Sequence, residues 1–324
     1  MYKHFKTSPL PLFISILTVM IFLLGIGGTP ANAQESASEI VLSSLDEDDE
    51  PVVANWKLPQ NNERKAFLIA IHGFGLQKYS YAPLARRFAA QGIETVAVDV
   101  RGFGNWSHDR HHNRVDLDRT VQDVRCLVAK LKRDHPATPI FVLGESMGGA
   151  VALRLADQNA SRVCPLGQPD GVIASVPGAK TYGAGRTSIK VMLHLAVLNA
   201  NHIDLSHSVV DRGTARAEIA ESWRNNPLNR LTVSLRELRH FRHFMKENRR
   251  IVREAAEMPI LFVQREDDRL VKPLATRQLF DVTASERKEM VMVKGSEHLI
   301  FEEGEFADSD LDAVTGFMAR AGVK

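Results

Sequence analysis

The 324-residue sequence has only two cysteines and almost no net charge, and no internal repeat or low-complexity tract is evident. Two cysteines cannot build a disulfide scaffold. The 41 Lys and Arg against 39 Asp and Glu give a formal charge of +2, whereas a nucleic-acid-binding domain normally carries a basic excess. With 44% hydrophobic and 25% charged residues, the composition is that of a globular protein rather than a disordered or collagen-like chain. We therefore expect a folded protein that does not bind nucleic acid.

The sequence also lacks the glycine-rich loops that bind nucleotide phosphates. His108, His111 and His112 cluster with Asp109 and Asp116, but this spacing matches no strong metal-ligand pattern. We therefore interpret the cluster as a solvated loop and expect neither a metal nor a cofactor.

Residues 1–33 have the pattern of an export signal. Lys3 and Lys6 form a basic start, an apolar run extends from Leu10 to Ile26, and Ala31-Asn32-Ala33 matches an A-x-A cleavage site. The run is short for a membrane span of ~20 residues. We expect cleavage near Ala33 and a periplasmic or secreted protein; the alternative is an uncleaved membrane anchor.

Residues 34–50 are small, polar and acidic, and we interpret them as a solvated linker. Outside the cytoplasm, Cys126 and Cys164 are able to form a disulfide. Two free buried thiols remain an equal alternative.

Short apolar runs alternate with helical patterns along the rest of the chain. The runs Lys65–Ile71, Pro139–Leu143 and Ile260–Val263 are typical of strands buried on both faces. Their alternation with helices such as Met147–Gln158 predicts an α/β fold with a mostly parallel sheet covered on both faces. In such sheets ligands bind at the carboxyl ends of the strands.

Gly144-Glu145-Ser146-Met147-Gly148 is a G-x-S-x-G motif between a predicted strand and a predicted helix. A serine on such a sharp turn has a strained backbone, and the flanking glycines remove Cβ atoms that would collide. The turn exposes the hydroxyl and leaves the Met147 N–H at a helix N-terminus, where it is able to bind an anion. This context predicts a nucleophilic Ser146 rather than a glycine-rich packing turn.

A serine nucleophile needs a base to take its proton and an acid to orient the base. The expected chain order is Ser, then Asp or Glu, then His. Asp267 and Asp268 follow one predicted strand, and His298 follows the next. These positions therefore fall on the sheet edge that carries Ser146, with both aspartates as candidates for the acid.

His72-Gly73-Phe74-Gly75 lies at the end of another predicted strand. Its glycines allow a backbone N–H to turn towards the nucleophile. The Phe74 and Met147 N–H groups would then form an oxyanion hole; the alternative is a plain turn.

These motifs resemble those of the α/β-hydrolase superfamily, specifically its monoacylglycerol lipase and lysophospholipase-like group, which borders the S33-type serine aminopeptidases. The resemblance covers about residues 52–322. It includes Asp99-Val100-Arg101-Gly102-Phe103-Gly104, Asp267-Asp268-Arg269-Leu270-Val271 and Ser296-Glu297-His298, with Arg265 where the family usually has Gly.

The resemblance implies an eight-stranded sheet with one antiparallel strand near Val52–Lys57. It also implies that Asp268 is the acid and that Phe74 and Met147 supply the oxyanion donors. The predicted core comprises residues 51–177 and 259–324.

Residues 178–258 are too long for an ordinary crossover, and the resemblance implies that they form a helical cap over the nucleophile. Helical patterns occur at Ile189–Leu198 and Ser234–Arg250. From Lys180 to Arg250 there are 13 Lys and Arg against 6 Asp and Glu, a net of +7. A basic cap would suit a lysophospholipid or peripheral contact with an anionic membrane; the alternative is a solvated helix face.

The function implied is that of an exported serine hydrolase. It would cleave carboxylic esters of small lipids, monoacylglycerol or lysophospholipid, through an acyl-enzyme on Ser146. The alternatives are a serine aminopeptidase or an acyl-thioesterase on the same fold, and a non-catalytic binding protein. The basic cap disfavours an aminopeptidase, which needs an acidic group there, and no triad position shows the damage that a binding protein would predict.

Overall fold

The computed structural model describes residues 51–59, 62–157, 164, 166–177, 202–304 and 306–322. The predicted signal, the acidic linker and the helix expected at Ile189–Leu198 lie outside the described residues. Of the helices that are described, none combines the length and the apolar character needed to cross a bilayer.

A twisted sheet forms the centre of the molecule. The described strands are β1 (Val53–Trp56), β2 (Ala66–Ile71), β3 (Ile93–Val98), β4 (Ile140–Glu145), β5 (Gly171–Ser175), β6 (His202–Asp204), β7 (Thr232–Ser234), β8 (Ile260–Arg265) and β9 (Lys288–Val293). β6 and β7 form a separate hairpin, and the other strands form the sheet. The order in the sheet is β1-β3-β2-β4-β5-β8-β9. Among the described strands of this sheet, only β1 is antiparallel to its neighbour, as expected for that part of the chain.

The expectation of eight strands is not met within the described residues, which form a sheet of seven. β1 pairs with β3 along one side, and no described segment pairs with its other side. β1 is therefore the edge of the described sheet.

Helices cover both faces of this sheet. The described α-helices of the core and the cap are α1 (Ala82–Ala89), α2 (Leu117–Asp134), α3 (Met147–Arg154), α4 (Ser206–Gly213), α5 (Ala217–Asn225), α6 (Leu235–Glu254), α7 (Pro273–Val282) and α8 (Asp308–Gly322). α1 and α8 pack on one face, and α2, α3, α6 and α7 pack on the other. Because both faces are covered, every residue of β2, β3, β4, β5 and β8 is buried. This burial explains why apolar residues predominate in these strands.

The described part of the predicted cap contains α4, α5, α6 and the β6–β7 hairpin, inserted between β5 and β8. α6 begins at a capping box, in which Ser234 and Glu237 each accept a hydrogen bond from the other's backbone N–H. Phe244 and Met245 pack into the core cluster. Leu238 and Phe241 line the cavity above the carboxyl ends of the strands.

Cys126 of α2 and Cys164 form a disulfide, with their Cα atoms 5.4 Å apart. This pairing decides between the two alternatives that the sequence left open. The neighbouring Arg125 is buried and donates hydrogen bonds to the carbonyl oxygens of Leu155 and Asp157. The chain that follows α3 is thus fixed to α2 by a covalent bond and by the Arg125 guanidinium.

Candidate active site

Ser146 occupies the sharp turn between β4 and α3. Its backbone has φ 54° and ψ −110°, a conformation that side-chain-bearing residues rarely adopt. A Cβ on Gly144 would lie 2.0 Å from the Gly148 carbonyl oxygen, and a Cβ on Gly148 would lie 1.9 Å from the Ile71 carbonyl oxygen. The two glycines are therefore required because the turn packs against its own backbone and against β2.

The predicted triad residues form a single hydrogen-bonded chain. The Nε2 atom of His298 lies 2.8 Å from the Oγ atom of Ser146, and its Nδ1 atom lies 2.8 Å from Oδ2 of Asp268. Asp268 and His298 follow β8 and β9, so strand ends far apart in sequence converge on Ser146. This geometry is able to move a proton from the hydroxyl to the imidazole.

The structure separates the two candidate aspartates. Asp268 is buried, whereas Asp267 is exposed. The Oδ1 atom of Asp268 accepts hydrogen bonds from the backbone N–H groups of Leu270 and Val271. These bonds orient its other oxygen towards His298 and satisfy the carboxylate charge.

Gln264 supports Asp268, and sequence reasoning missed it. Its Nε2 donates to Oδ2 of Asp268 at 3.3 Å, and its Oε1 accepts from the Thr276 hydroxyl at 2.6 Å. Gln264 is fully buried in β8. A polar residue within a mostly apolar strand was the feature of the sequence that could have identified it. Arg265, the next residue, stands where the family usually has Gly. It donates from Nη1 to the Lys294 carbonyl, so the structure accommodates this side chain.

The two candidate oxyanion donors come from two separate segments near the nucleophile. Met147 is the first residue of α3, a position where the N–H has no acceptor within the helix. Phe74 follows β2, and it lines the same cavity as Ser146 and His298. The preceding His72 accepts from the Val100 N–H at Nε2, so its Nδ1 carries the proton that bonds the Gly73 carbonyl. Burial lowers the pKa of His72 and keeps this imidazole neutral.

A cavity of about 110 Å³ opens above Ser146. Most of its described walls are apolar, from the cap and the core: Phe74, Leu76, Val115, Leu205, Val209, Trp223, Val233, Leu238, Phe241, Leu270, Val271 and Leu299. Such a cavity excludes water from the nucleophile and is able to hold an apolar chain beside it.

Glu237 is the acidic side chain among the described residues that line this cavity. Its carboxylate accepts from the Val115 N–H at 2.9 Å and from the Ser234 N–H at 2.7 Å. Arg230 donates to both of its oxygens at 3.0 Å. Burial alone would raise the pKa of Glu237, but these donors and the Arg230 charge lower it overall, and the group is ionised.

The cap also contacts the loop that carries the base. The backbone N–H of His298 donates to the Gly213 carbonyl at the end of α4, at 2.8 Å. The adjacent Glu297 carboxylate accepts from the Ala215 N–H at 3.0 Å. The position of His298 is therefore fixed partly by the cap.

The histidine cluster predicted to be a solvated loop lies away from this cavity. Nδ1 of His112 pairs with Asp109 at 2.8 Å, and Nε2 of His108 bonds the Pro227 carbonyl at 3.1 Å. A second group shares Asp116 with that cluster and adds Asp118 and His240, and its ligand-type atoms are close enough to share an ion. Both of its carboxylates are exposed, and Asp116 caps α2 by accepting from the Arg119 N–H.

Comparison with known proteins matches the family model described as serine aminopeptidase, S33, to residues 62–305. A monoacylglycerol lipase of Mycolicibacterium smegmatis is 28% identical over 253 residues, which are 76% of this chain and 85% of that protein. Human monoglyceride lipase is 25% identical over 245 residues, 74% of this chain and 77% of that protein.

Among solved structures, a soluble variant of monoglyceride lipase from Saccharomyces cerevisiae, in complex with a substrate analog, superposes with a TM-score of 0.71. The match covers 91% of this chain and 98% of that chain, at 21% sequence identity. At this identity the superposition compares folds only.

Proposed function

The chain belongs to the serine aminopeptidase S33 family of α/β hydrolases, and from this premise we propose that it hydrolyses carboxylic esters of monoacyl lipids, monoacylglycerol or lysophospholipid. The observation that carries the proposal is the Ser146–His298–Asp268 hydrogen-bonded chain beneath an apolar cavity. The hydrogen-bonded triad supplies the chemistry of acyl transfer, and the cavity suits the acyl group of the substrate.

In the proposed mechanism, Ser146 Oγ attacks the ester carbonyl as Nε2 of His298 takes its proton. Asp268 stabilises the imidazolium that forms. The Phe74 and Met147 N–H groups bind the oxyanion of the tetrahedral intermediate. His298 then returns the proton to the leaving alcohol, which leaves an acyl-enzyme. A water molecule deprotonated by His298 attacks the acyl-enzyme and releases the fatty acid.

The state of Glu237 weighs against the aminopeptidase alternative. An aminopeptidase needs a cap acid to bind the substrate's α-ammonium group, and Glu237 is positioned at the cavity. However, Arg230 neutralises its charge, and its oxygens already accept from Val115, Ser234 and Arg230. A carboxylate with its lone pairs occupied in this way offers little to a further cation.

A second cavity, of about 660 Å³, favours a lysophospholipid among the proposed substrates. It shares Glu237 with the cavity above Ser146, and the side chains of Arg114 and Arg236 line it. Both arginines are exposed. Their guanidinium groups would bind the phosphate of a head group by bidentate hydrogen bonds, and they would also draw the cap to an anionic membrane.

Export is supported by the Cys126–Cys164 disulfide. Such bonds persist in oxidising compartments and are rare in the cytosol. We therefore propose a periplasmic or secreted enzyme whose N-terminal segment is removed near Ala33. Mass spectrometry of the protein isolated from its host would test this, and a mature form that retains residues 1–33 would contradict it.

The function is tested with an alkyl fluorophosphonate probe, which labels activated serines, followed by a panel of four substrates. We expect labelling of Ser146 and no labelling of Ser146→Ala, with an unchanged melting temperature. The panel compares monoacylglycerol, lysophospholipid, an aminoacyl amide and an acyl-thioester. Preference for either lipid ester supports the proposal. Preference for the amide or the thioester selects the corresponding alternative, and an unlabelled, inactive, folded protein selects a binding role.

A further inference from the structure

Two glutamates lie close in sequence to the catalytic residues, and neither lines the apolar cavity. Glu145 directly precedes Ser146, and Glu302 follows His298 by four residues. Both side chains have 0% exposure. Buried acids are costly unless their hydrogen bonds are satisfied, so their partners indicate what each carboxyl does.

The Glu145 carboxyl binds the loop that carries the base. Its Oε1 accepts from the Ser175 hydroxyl at 2.6 Å and from the Ile300 N–H at 2.7 Å. Its Oε2 accepts from the N–H groups of Phe301 and Glu302, at 3.0 and 2.9 Å. Both oxygens accept and neither donates, which is the bonding pattern of an ionised carboxylate. Three consecutive N–H groups just after His298 are held in this way.

The Glu302 carboxyl binds the oxyanion loop instead. Its Oε1 accepts from the Gly73 N–H at 2.6 Å, and Gly73 directly precedes Phe74. Its Oε2 has no partner with hydrogen-bond geometry among the described residues. The Tyr81 hydroxyl, which interacts with Glu302, donates to the Ile71 carbonyl at 3.0 Å. A buried carboxylate needs donors on both oxygens to offset its charge, so this arrangement disfavours the ionised form of Glu302.

The environment of the two groups agrees with this distribution of charge. Two buried carboxyls close together do not both ionise, because each charge disfavours the other. Burial raises the pKa of Glu145, and burial together with the Glu145 charge raises the pKa of Glu302 well above its ordinary value. Both effects favour the proton on Glu302 over Glu145.

We propose that Glu145, ionised, and Glu302, protonated, form a buried carboxyl pair that positions His298 and the Phe74 amide for the reaction. The pair connects the three loops of the site: the turn of Ser146, the loop of His298 and the loop of Phe74. Neither glutamate touches the substrate. This role rests on the proposed function, since it concerns the alignment of that same site.

Because the two carboxyls are proposed to differ in charge, replacing each of them with glutamine should have opposite effects on activity. Glu302→Gln keeps a carbonyl oxygen for the Gly73 N–H and places an NH₂ group where the acid has its hydroxyl. Glu145→Gln instead points an NH₂ group at backbone N–H donors. We therefore expect Glu302→Gln to retain most of the wild-type kcat and Glu145→Gln to lose it, although the two substitutions are chemically identical.

The experiment measures kcat and KM for p-nitrophenyl butyrate, with the concentration of active sites counted by fluorophosphonate labelling. Counting labelled sites corrects for misfolded protein. For Glu302→Ala we expect kcat to fall roughly 10- to 100-fold, the loss that a small misplacement of reacting groups causes, while KM changes less than about twofold. The exposed Glu286→Ala serves as control and should match the wild type. A kcat for Glu302→Ala equal to that of the control would overturn the proposal, as would equal tolerance of Glu145→Gln and Glu302→Gln.

Hydrogen–deuterium exchange provides a readout that does not depend on activity. Loss of the Glu302 acceptor should speed exchange of the Gly73 amide in Glu302→Ala but not in Glu302→Gln. Unchanged exchange in Glu302→Ala would overturn the positioning role. If the wild type neither hydrolyses esters nor labels at Ser146, the proposed function fails, and exchange at Gly73 still decides whether the pair holds the loop.

Discussion

The Nη2 atom of Arg230 lies 3.0 Å from each carboxylate oxygen of Glu237, at the first turn of α6. The Nη1 atom of the same guanidinium donates to the carbonyl oxygens of Gly102 and Asn113, in the core. The Arg230 guanidinium therefore joins the cap to the loop that follows β3, and its ion pair with Glu237 holds it in place. The two side chains of the pair are 16% and 8% exposed, so solvent screens the pair only partly.

Replacing Glu237 with Ala should destabilise the protein by about 1–3 kcal/mol, because it leaves the Arg230 charge half-buried without its partner. The matched control is Glu247→Ala on the same helix, where the ion pair with Arg250 is exposed and should contribute little because solvent screens it. Urea unfolding midpoints measure both changes. Equal midpoints for the two variants would show that the pair does not fix the cap.

The aspartates next to each other in sequence should differ sharply in their effect on turnover. Asp268→Asn keeps the shape but favours the wrong imidazole tautomer of His298, and the related change in other triads lowers kcat by about 10⁴. Asp267→Asn changes an exposed side chain and should leave kcat within about twofold. Steady-state hydrolysis of p-nitrophenyl butyrate measures both. A larger loss in Asp267→Asn would reverse the assignment of the acid.

The predicted α/β-hydrolase fold is confirmed, and the predicted triad residues lie within hydrogen-bonding distance of one another. Both outcomes come from local signals: apolar runs, glycines at a tight turn, and polar residues at strand ends. Asp268 differs from Asp267 in being buried, and the burial of two adjacent residues in a loop is not predictable from sequence. The choice of Asp268 as the acid therefore depended on the family resemblance.

The contacts that support the site were not predictable, because they join residues far apart in the chain. Glu302 binds Gly73 across 229 positions, and Glu145 reaches the Ile300 amide across 155. In the sequence, Arg230 and Glu237 contributed only to the net charge of the basic segment. That net charge did not reveal that Arg230 pairs with Glu237 and neutralises it. The sequence did not decide whether Cys126 and Cys164 form a disulfide, because it does not give the distance between them.

Gly148→Ala should prevent normal folding or cost at least about 2–3 kcal/mol, because the new Cβ would meet the Ile71 carbonyl oxygen at 1.9 Å. That atom belongs to a buried strand and is not free to move aside. Gly316→Ala is the control, since its nearest atom is Nη1 of the flexible Arg320 side chain at 3.2 Å, and alanine in a helix is favoured by up to about 1 kcal/mol. Thermal unfolding separates the two cases, and a stable Gly148→Ala would contradict the described packing of α3.

Reduction of the Cys126–Cys164 bond should lower stability without changing the active site. The two cysteines are 38 positions apart, and closing a loop of that length stabilises the folded state by about 3–4 kcal/mol in the chain-entropy model. We expect a phosphine reductant to lower the melting temperature of the wild type but not that of the Cys126→Ser, Cys164→Ser double variant. A wild-type melting temperature insensitive to complete reduction, verified by thiol titration, would argue against a stabilising role.

The protonated state of Glu302 predicts an unusual dependence of stability on pH. In the unfolded chain this carboxyl ionises near its ordinary value of 4.5, whereas burial and the Glu145 charge raise its pKa well above that in the folded protein. Between the two values the unfolded state binds fewer protons, so the free energy of unfolding falls as the pH rises, by up to about 1.4 kcal/mol per pH unit. The stabilisation is complete below pH 4.5 and is lost up to the raised pKa.

Glu302→Gln removes this titration. Its melting temperature relative to the wild type should therefore increase from pH 4.5 to pH 8, because the wild type is penalised progressively and the amide is not. The control is Glu286→Gln, at an exposed position, and its difference from the wild type should stay constant over the same range. A constant difference for Glu302→Gln as well would mean that Glu302 ionises normally in the folded protein, and the proton would then have to be assigned to Glu145 or to neither glutamate.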